Sequence, residues 1–193
     1  QCPSPESVIN LAEGKTKKAG DLKVGDVVHT QHEKTMEWGD HPVTYVEIIP
    51  DQKRLQLQFI DEENVLTNFV CSFTHKFHVD KKGWTEVQNM EIGDVVSGKK
   101  LQKSEEGEKG EVVKITVDEA HTYISDNMLS HNKFPAPPRD FETQAEFDAW
   151  QVEDAARRKK QATAYANANW QKQEFSGPEF EKKLRWQMMN DSL

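Results

Sequence analysis

The first 132 residues alternate between short apolar runs and polar turns, a pattern typical of β structure. Within Leu55-Gln-Leu-Gln-Phe59, apolar and polar residues alternate strictly, as in a strand with one buried face. Other short runs are rich in β-branched and aromatic residues, which favour strands. Closely spaced strands with polar turns predict an all-β domain. The strand segments are 43–49, 55–59, 77–79, 112–117 and 122–124.

Two segments between these runs predict interruptions. Pro50-Asp51 follows the first run and predicts a turn that leads to Leu55. The segment from Lys103 to Gly110 is rich in Glu, Lys and Gly. We therefore expect it to be a solvated loop between strands.

An internal repeat links two parts of the β region. Asp21-Leu-Lys-Val-Gly-Asp-Val-Val28 matches Asn89-Met-Glu-Ile-Gly-Asp-Val-Val96. In each copy the glycine can supply a turn conformation, and the Val-Val pair predicts the start of a strand. Two copies predict a pseudo-symmetric domain built from two similar halves. The alternative is chance recurrence of a common turn-strand sequence.

The composition changes after Lys133. Phe134-Pro-Ala-Pro-Pro138 predicts a stiff linker over 133–140, because proline does not fit a helix interior. Thr143-Gln-Ala-Glu146 is a capping-box pattern that predicts the start of a helix. The residues that follow, to about Gln173, favour helix.

A second helix is predicted beyond Ser176-Gly-Pro178, because proline suits the first turn of a helix. Residues 141–193 thus predict an α-helical tail. Since this tail has few aliphatic residues, its own core is weak, and we expect it to pack against a partner. The alternative is a partly disordered tail.

The net charge of −8 lies entirely in the first part of the chain. Residues 1–132 carry 15 Lys/Arg and 23 Asp/Glu, whereas residues 133–193 carry 10 of each. An acidic domain argues against a nucleic-acid-binding surface, because phosphate contacts need clustered basic residues. No apolar run approaches about 18 residues, so no membrane-spanning segment is predicted.

The two cysteines, Cys2 and Cys71, could form a disulfide in a secreted protein. The domain is large enough to fold without one, and the chemistry considered next needs a free thiolate. We therefore expect free thiols and a reducing compartment such as the cytoplasm.

Residues with self-cleavage chemistry lie at both ends of the β region. The thiolate of Cys2 could attack the carbonyl of Gln1 and convert that amide into a thioester. His75 could protonate the leaving nitrogen, and Ser72 could stabilise the developing oxyanion. At the other end, the Asn132 side-chain amide could attack its own backbone carbonyl, form a succinimide and release Lys133.

Two histidines are candidates at the second border. His131 could protonate the leaving amine or polarise the carbonyl, and His121 could activate the Asn132 amide. The other histidines, His29, His32, His41 and His78, are expected to be ordinary surface or hydrogen-bonded residues. A metal site is an alternative use of seven His and two Cys, but their spacing matches no familiar zinc pattern.

These motifs resemble the Hint superfamily, which includes inteins, bacterial intein-like domains and hedgehog autoprocessing domains. The resemblance covers residues 2–132 and rests on the order of Cys2, Leu22–Asp26, Ser72 with His75, Val117–Tyr123 and Leu129–Asn132. It implies a horseshoe-like, pseudo-two-fold all-β domain with both ends close together. It also implies self-cleavage without a cofactor or metal, and no endonuclease insert.

The chain departs from the family pattern at three positions. Ser72 replaces the usual Thr and keeps the hydroxyl. Lys114 stands where many inteins carry an Asp that helps coordinate the steps, so we expect weak coupling between the two cleavages. Lys133 replaces the Cys, Ser or Thr that splicing needs. The resemblance therefore implies cleavage at Gln1–Cys2 and Asn132–Lys133 with little or no splicing, as in the bacterial intein-like class.

Two other functions remain open. The domain could be a non-cleaving scaffold whose 141–193 tail docks on a larger assembly such as a phage virion. A hedgehog-like transfer to an external nucleophile would not need the His131-Asn132 exit, so that exit argues against it. Under self-cleavage, the flanking protein segments are the substrate.

Overall fold

A computed structural model describes residues 2–132 and 143–172, with backbone only at residues 144, 161–162 and 165–172. Thirteen β-strands occur within residues 2–132, and the fold is mostly β, as the sequence predicts. The strands of the first half are β1 Val8–Asn10, β2 Thr16–Lys18, β3 Val27–Gln31, β4 Trp38–Gln52, β5 Arg54–Ile60 and β6 Leu66–Ser72. Those of the second half are β7 Lys76–Val79, β8 Gly83–Glu86, β9 Val95–Val96, β10 Lys99–Glu106, β11 Gly110–Val117, β12 Thr122–Ser125 and β13 Met128–His131.

Most strands join one curled sheet of ten strands. Its order is β2-β1-β12-β13-β7-β9-β10-β5-β6, with β8 paired to β7. A second sheet has the order β11-β4-β3. In the large sheet, strands from the two ends of the domain are neighbours, because β12 and β13 lie between β1 and β7. This arrangement brings the C-terminal border into the middle of the sheet.

The internal repeat is a structural repeat. Gly25 and Gly93 have φ of 95° and 100°, in the left-handed region that glycine adopts without strain. In each copy the Asp that follows the glycine accepts a hydrogen bond from the backbone N–H three residues before it, at 2.8 Å for Asp26 and 2.9 Å for Asp94. The equivalent core residues Val28 and Val96 are both fully buried. The predicted pseudo-symmetry is confirmed.

The domain has two hydrophobic clusters, and each contains residues from both halves of the sequence. One cluster includes Val28, Val43, Ile115 and Tyr123, and the other includes Phe59, Phe69, Phe77 and Leu101. Every one of these side chains is 1 % exposed or less. Burial on this scale favours folding by roughly 25 cal/mol per Å² of apolar surface. The rigid scaffold that results can hold polar side chains between the two clusters.

Of two sequence expectations about chain breaks, the turn at Pro50-Asp51 is wrong, and the loop expected over 103–110 is confined to residues 107–109. Pro50 and Asp51 lie within β4, where the pairing with β11 shifts register between Gly110 and Val112, so the Pro-Asp pair forms a bulge and not a turn. Proline is tolerated because a bulged residue needs no ladder hydrogen bond. Residues 103–106 are the end of β10 and pair with β5, although their side chains are exposed. Backbone pairing, rather than side-chain burial, orders this segment.

The predicted tail helix is present as α1, Gln144–Lys172. Its start is capped as expected, since the Glu146 N–H donates to Thr143 Oγ1 at 3.2 Å. The linker predicted over 133–140 and the second tail helix lie outside the described residues.

Candidate self-cleavage site

Cys2 is held at the edge of the large sheet by β6. Its N–H donates to Ser72 Oγ at 3.1 Å, and the Ser72 N–H donates to the Cys2 carbonyl at 2.9 Å. The Cys2 nitrogen is the leaving nitrogen of the Gln1–Cys2 bond. The structure therefore places the Ser72 hydroxyl at that nitrogen. From this position the hydroxyl can pass a proton to the leaving amine.

Cys2 and Cys71 are both free, so the disulfide alternative is excluded. Cys2 is 3 % exposed, and Cys71 is fully buried. Burial raises the pKa of the Cys71 thiol far above its usual range, because a thiolate would lose its hydration there. Cys71 therefore stays a neutral thiol, which leaves Cys2 as the candidate nucleophile.

His75 follows Ser72 through a tight turn, in which the His75 N–H donates to the Ser72 carbonyl at 3.0 Å. Its ring is fully buried, with Phe69 and Phe77 centroids 5.2 and 4.7 Å away. Burial holds the pKa of His75 well below its usual value. The imidazole is therefore neutral, with one nitrogen able to give a proton and the other able to take one.

The two ring nitrogens of His75 differ in their surroundings. Nε2 lies 3.1 Å from Ser130 Oγ, which in turn lies 2.6 Å from Ser125 Oγ. Nδ1 has no hydrogen-bond partner among the described residues, although it is buried. A buried, unpaired ring nitrogen is costly unless a reacting group uses it. The Ser130 contact fixes the ring so that Nδ1 can serve that purpose.

Asn132 is clamped to the end of β11. Its Nδ2 donates to the Val117 carbonyl at 3.0 Å, and the Val117 N–H donates to Oδ1. Its own N–H donates to the His121 carbonyl at 2.8 Å, and the residue is 1 % exposed. The carboxamide is thus held in a single orientation out of water. Fixing a nucleophile in this way removes part of the entropic barrier to cyclisation.

His131 lies beside the carbonyl group of Asn132. Its Nδ1 is 2.9 Å from the Asn132 carbonyl oxygen, and its ring packs edge-on against Trp84 with centroids 4.8 Å apart. His131 therefore reaches the oxygen that would become negative as Asn132 cyclises.

Glu33 joins the two histidines of this border. Its Oε1 is 2.7 Å from His121 Nδ1, and its Oε2 is 2.7 Å from His131 Nε2. The Glu33 N–H donates to the Ala120 carbonyl at 2.9 Å, and Trp84 Nε1 donates to its carbonyl at 3.3 Å. Burial would raise the pKa of Glu33, but the hydrogen bonds from the two imidazoles outweigh it, and the pKa is lowered.

Sequence reasoning missed Glu33. It is one of 23 acidic residues in the first 132 and follows His32, which was expected to be an ordinary residue. It lies 88 residues from His121 and 98 from His131 in the sequence. No short sequence pattern identifies a carboxylate whose partners lie so far away in the sequence.

The remaining histidines have other partners. His29 pairs with Asp40 at 2.7 Å, His78 packs on Trp84, and His41 lies 3.7 Å from Glu119. His32 Nδ1 accepts the N–H of Lys34 at 3.1 Å.

Lys114 lies on β11 opposite Glu47, with Nζ 4.0 Å from Glu47 Oε2 and 5.4 Å from the centre of the Tyr45 ring. These contacts give the ammonium of Lys114 partners on β4. In the part of the chain that the structure describes, no hydrogen bond or ion pair joins Lys114 to Cys2 or Asn132.

Helix α1 packs beside the C-terminal border. Ala155 and Arg158 line a small pocket that Val117 and His121 also line. Lys159 forms ion pairs with Glu119, and with Asp118 at 3.9 Å. The tail therefore contacts the segment 117–121, which holds the Asn132 side chain.

Comparison with solved structures identifies the architecture. Residues amounting to 69 % of this chain superpose on 99 % of a DnaB intein from Synechocystis sp. PCC 6803, with a TM-score of 0.60 and 18 % identity. The chain has the intein, or Hint, fold. A bacterial intein-like domain from Clostridium thermocellum matches with a TM-score of 0.59 at 20 % identity, over 69 % of this chain and 99 % of that domain.

The gp41-1 intein also matches, with a TM-score of 0.55 at 22 % identity, over 68 % of this chain and 98 % of that intein. No family model matches the sequence, and no curated protein does. The likeness is thus one of fold.

Two further features are absent from the described residues. Among residues 2–132 and 143–172, no group of three or more His, Cys, Asp or Glu side chains is arranged to hold a metal ion. Over the same ranges, no helix is both long and apolar enough to cross a membrane.

Proposed function

We propose that the Hint domain cleaves its own chain, once at Gln1–Cys2 and once at Asn132–Lys133. The observation that carries the proposal is the 2.9 Å contact of His131 Nδ1 with the Asn132 carbonyl oxygen, beside a clamped Asn132 carboxamide. The fold shared with inteins and a bacterial intein-like domain supports an autoprocessing type of domain.

At the C-terminal border, Asn132 Nδ2 attacks its own backbone carbonyl carbon. A C–N bond forms within a succinimide ring, the bond to Lys133 breaks, and the Lys133 nitrogen leaves as an amine after gaining a proton. His131 stabilises the oxygen as it becomes negative. The Val117 carbonyl, which already accepts from Nδ2, keeps that nitrogen oriented as its proton departs.

At the N-terminal border, Cys2 Sγ attacks the Gln1 carbonyl carbon. A C–S bond forms, the Gln1–Cys2 C–N bond breaks, and the Cys2 nitrogen takes up a proton. The Ser72 hydroxyl, 3.1 Å from that nitrogen, and the neutral His75 are the candidate proton carriers. Water then hydrolyses the thioester.

Lys133 decides the outcome of the two cuts. Because it has neither hydroxyl nor thiol, it cannot take over the acyl group as a splicing nucleophile would. A minor route remains, in which the freed Lys133 amine attacks the thioester and joins the flanks. The main products are therefore the cleaved fragments, with the flanks unjoined. Neither step needs a metal or cofactor.

Intact-mass analysis of the freshly made full chain tests the proposal. At neutral pH with added thiol, the parent should lose both Gln1 and residues 133–193. Asn132→Ala should lose only Gln1, and Cys2→Ala only residues 133–193. His29→Ala is the matched control, because its imidazole pairs with Asp40 and should not change cleavage. If the parent and both border variants stay full length for days, the proposal fails.

The second candidate is a non-cleaving scaffold in a larger assembly such as a virion. It is favoured by the packing of α1 on the Hint domain, which gives the tail a structural role. An uncut chain in the natural assembly would support the scaffold, whereas fragments that end at Asn132 would support cleavage.

A further inference from the structure

Glu33 has a contact pattern that constrains the charge of His131. One ring nitrogen of His131 faces a carboxylate oxygen of Glu33 at 2.7 Å, and the other faces the Asn132 carbonyl oxygen at 2.9 Å. A carboxylate and a carbonyl are acceptors only, so both nitrogens must carry a proton to satisfy both contacts. The geometry fits the imidazolium form of His131 and no neutral tautomer.

We propose that Glu33 is a positioning residue for cleavage at Asn132: its carboxylate holds His131 as an imidazolium aimed at the scissile carbonyl and holds His121 beside it. This inference rests on the proposed function. Glu33 does not touch the reacting atoms and acts only through the two rings.

Charge and burial explain how one side chain does this. The Glu33 side chain is 18 % exposed and that of His131 is 17 % exposed, so water screens their attraction only in part. The same carboxylate binds His121 through its other oxygen, which prevents Glu33 from rotating away. Its backbone is anchored to Ala120 and Trp84, so the loop between β3 and β4 delivers the carboxylate at a fixed position.

Other charged groups surround this border. His75, which directly precedes β7, is neutral, because burial holds its pKa well below the usual value. Arg158 of α1 lines the pocket beside His121, and its charge is balanced by Asp154. Glu33 is thus the negative group in hydrogen-bond contact with His131 among the described residues.

The kinetic test compares Glu33→Gln and Glu33→Asp in the full chain. Glu33→Gln keeps the shape but loses the charge. It should slow release of residues 133–193 by about 10- to 100-fold. Carboxylates that orient histidines in metal enzymes have effects of this size when they are removed, and Glu33 orients His131 in the same way. The pH profile of this release should also change, because the variant lacks the carboxylate that contacts both imidazoles. Glu33→Asp should recover part of the rate, and loss of Gln1 should not change in either variant.

Glu37→Gln is the matched control, because Glu37 is an exposed glutamate of the same loop. It should cleave like the parent at every pH. Equal rates and pH profiles for Glu33→Gln and Glu37→Gln would overturn the inference.

A second measurement does not depend on cleavage. In the Asn132→Ala chain, which cannot cyclise, NMR contacts between the ring protons of His131 and Trp84 report the position of the His131 ring. Glu33→Gln should weaken these contacts, because the ring is no longer held by the carboxylate, whereas Glu37→Gln should leave them unchanged. Unchanged contacts in Glu33→Gln would show that Glu33 does not position the ring and would overturn the inference. If the parent does not cleave at all, the proposed function fails, while this comparison still decides the role of Glu33.

Discussion

Ser130→Ala tests whether the environment of His75 supports the N-terminal cut. Ser130 Oγ is the described hydrogen-bond partner of the His75 ring, at 3.1 Å, in a fully buried site. Removing the hydroxyl leaves His75 Nε2 without that partner and allows the ring to turn. The candidate nitrogen Nδ1 then loses its fixed direction.

The magnitude follows from burial. An orphaned buried polar atom costs about 1–3 kcal/mol. For a chain of this size, that lowers the melting temperature by about 2–12 °C. The rate of thioester formation should fall by about tenfold or more. Positioned proton transfer accelerates reactions by about 10²- to 10⁴-fold, and a ring that can turn should lose part of that acceleration.

The assay uses the Asn132→Ala chain, so that only the N-terminal border reacts. Loss of Gln1 in added thiol is followed by intact mass, at a temperature where circular dichroism shows both chains folded. Ser104→Ala, an exposed serine on β10, is the control and should match its parent. A folded Ser130→Ala chain that loses Gln1 at the parental rate would refute this reasoning.

Three further predictions concern stability and the tail. Burial depresses the pKa of His75, so the folded state favours the neutral imidazole. The free energy of unfolding should therefore fall as pH drops below about 6.5, where the unfolded chain takes up a proton at this residue. In the Asn132→Ala chain, His75→Gln should make the melting temperature depend less on pH in this range. In the Asn132→Ala chain, which keeps the tail, Lys159→Glu should increase hydrogen exchange in α1 by about two- to fivefold, because a partly exposed ion pair is lost. Lys160→Glu, at the neighbouring exposed lysine, is the control, and equal exchange in the two variants would contradict this prediction. Gly93→Ala should cost about 1–3 kcal/mol in urea unfolding, since φ is 100°, and an unchanged midpoint would show that the turn relaxes freely.

Strand β13 contributes side chains to both borders of the β domain. Neighbouring residues of a strand point to opposite faces. On β13, Ser130 therefore contacts His75, while His131 contacts Glu33 and the Asn132 carbonyl. The two candidate reactions use separate hydrogen-bond systems that share this backbone. A small displacement of β13 would affect both, which gives a structural route for coupling even though Lys114 is engaged with Glu47.

Local sequence patterns determined the strands and the repeat. Strict alternation over 55–59 predicted β5, and the two Gly-Asp-Val-Val segments predicted matching turns, because side-chain periodicity and glycine conformation are local properties. The same locality explains the errors. Pro50 and residues 103–106 look like breaks by composition, yet pairing with distant strands keeps them extended.

The amino-acid sequence by itself determined which side chains with suitable chemistry stand at the borders, namely Cys2, His131 and Asn132, and it offered His75 in the interior. Only the tertiary structure decided what each one touches. In the structure, the Ser72 hydroxyl contacts the nitrogen of Cys2, and the Glu33 carboxylate binds two imidazoles that lie about 90 residues away in the sequence. The physical reason is that a hydrogen bond depends on ångström-scale distances, which packing of the two cores sets and no short stretch of sequence encodes.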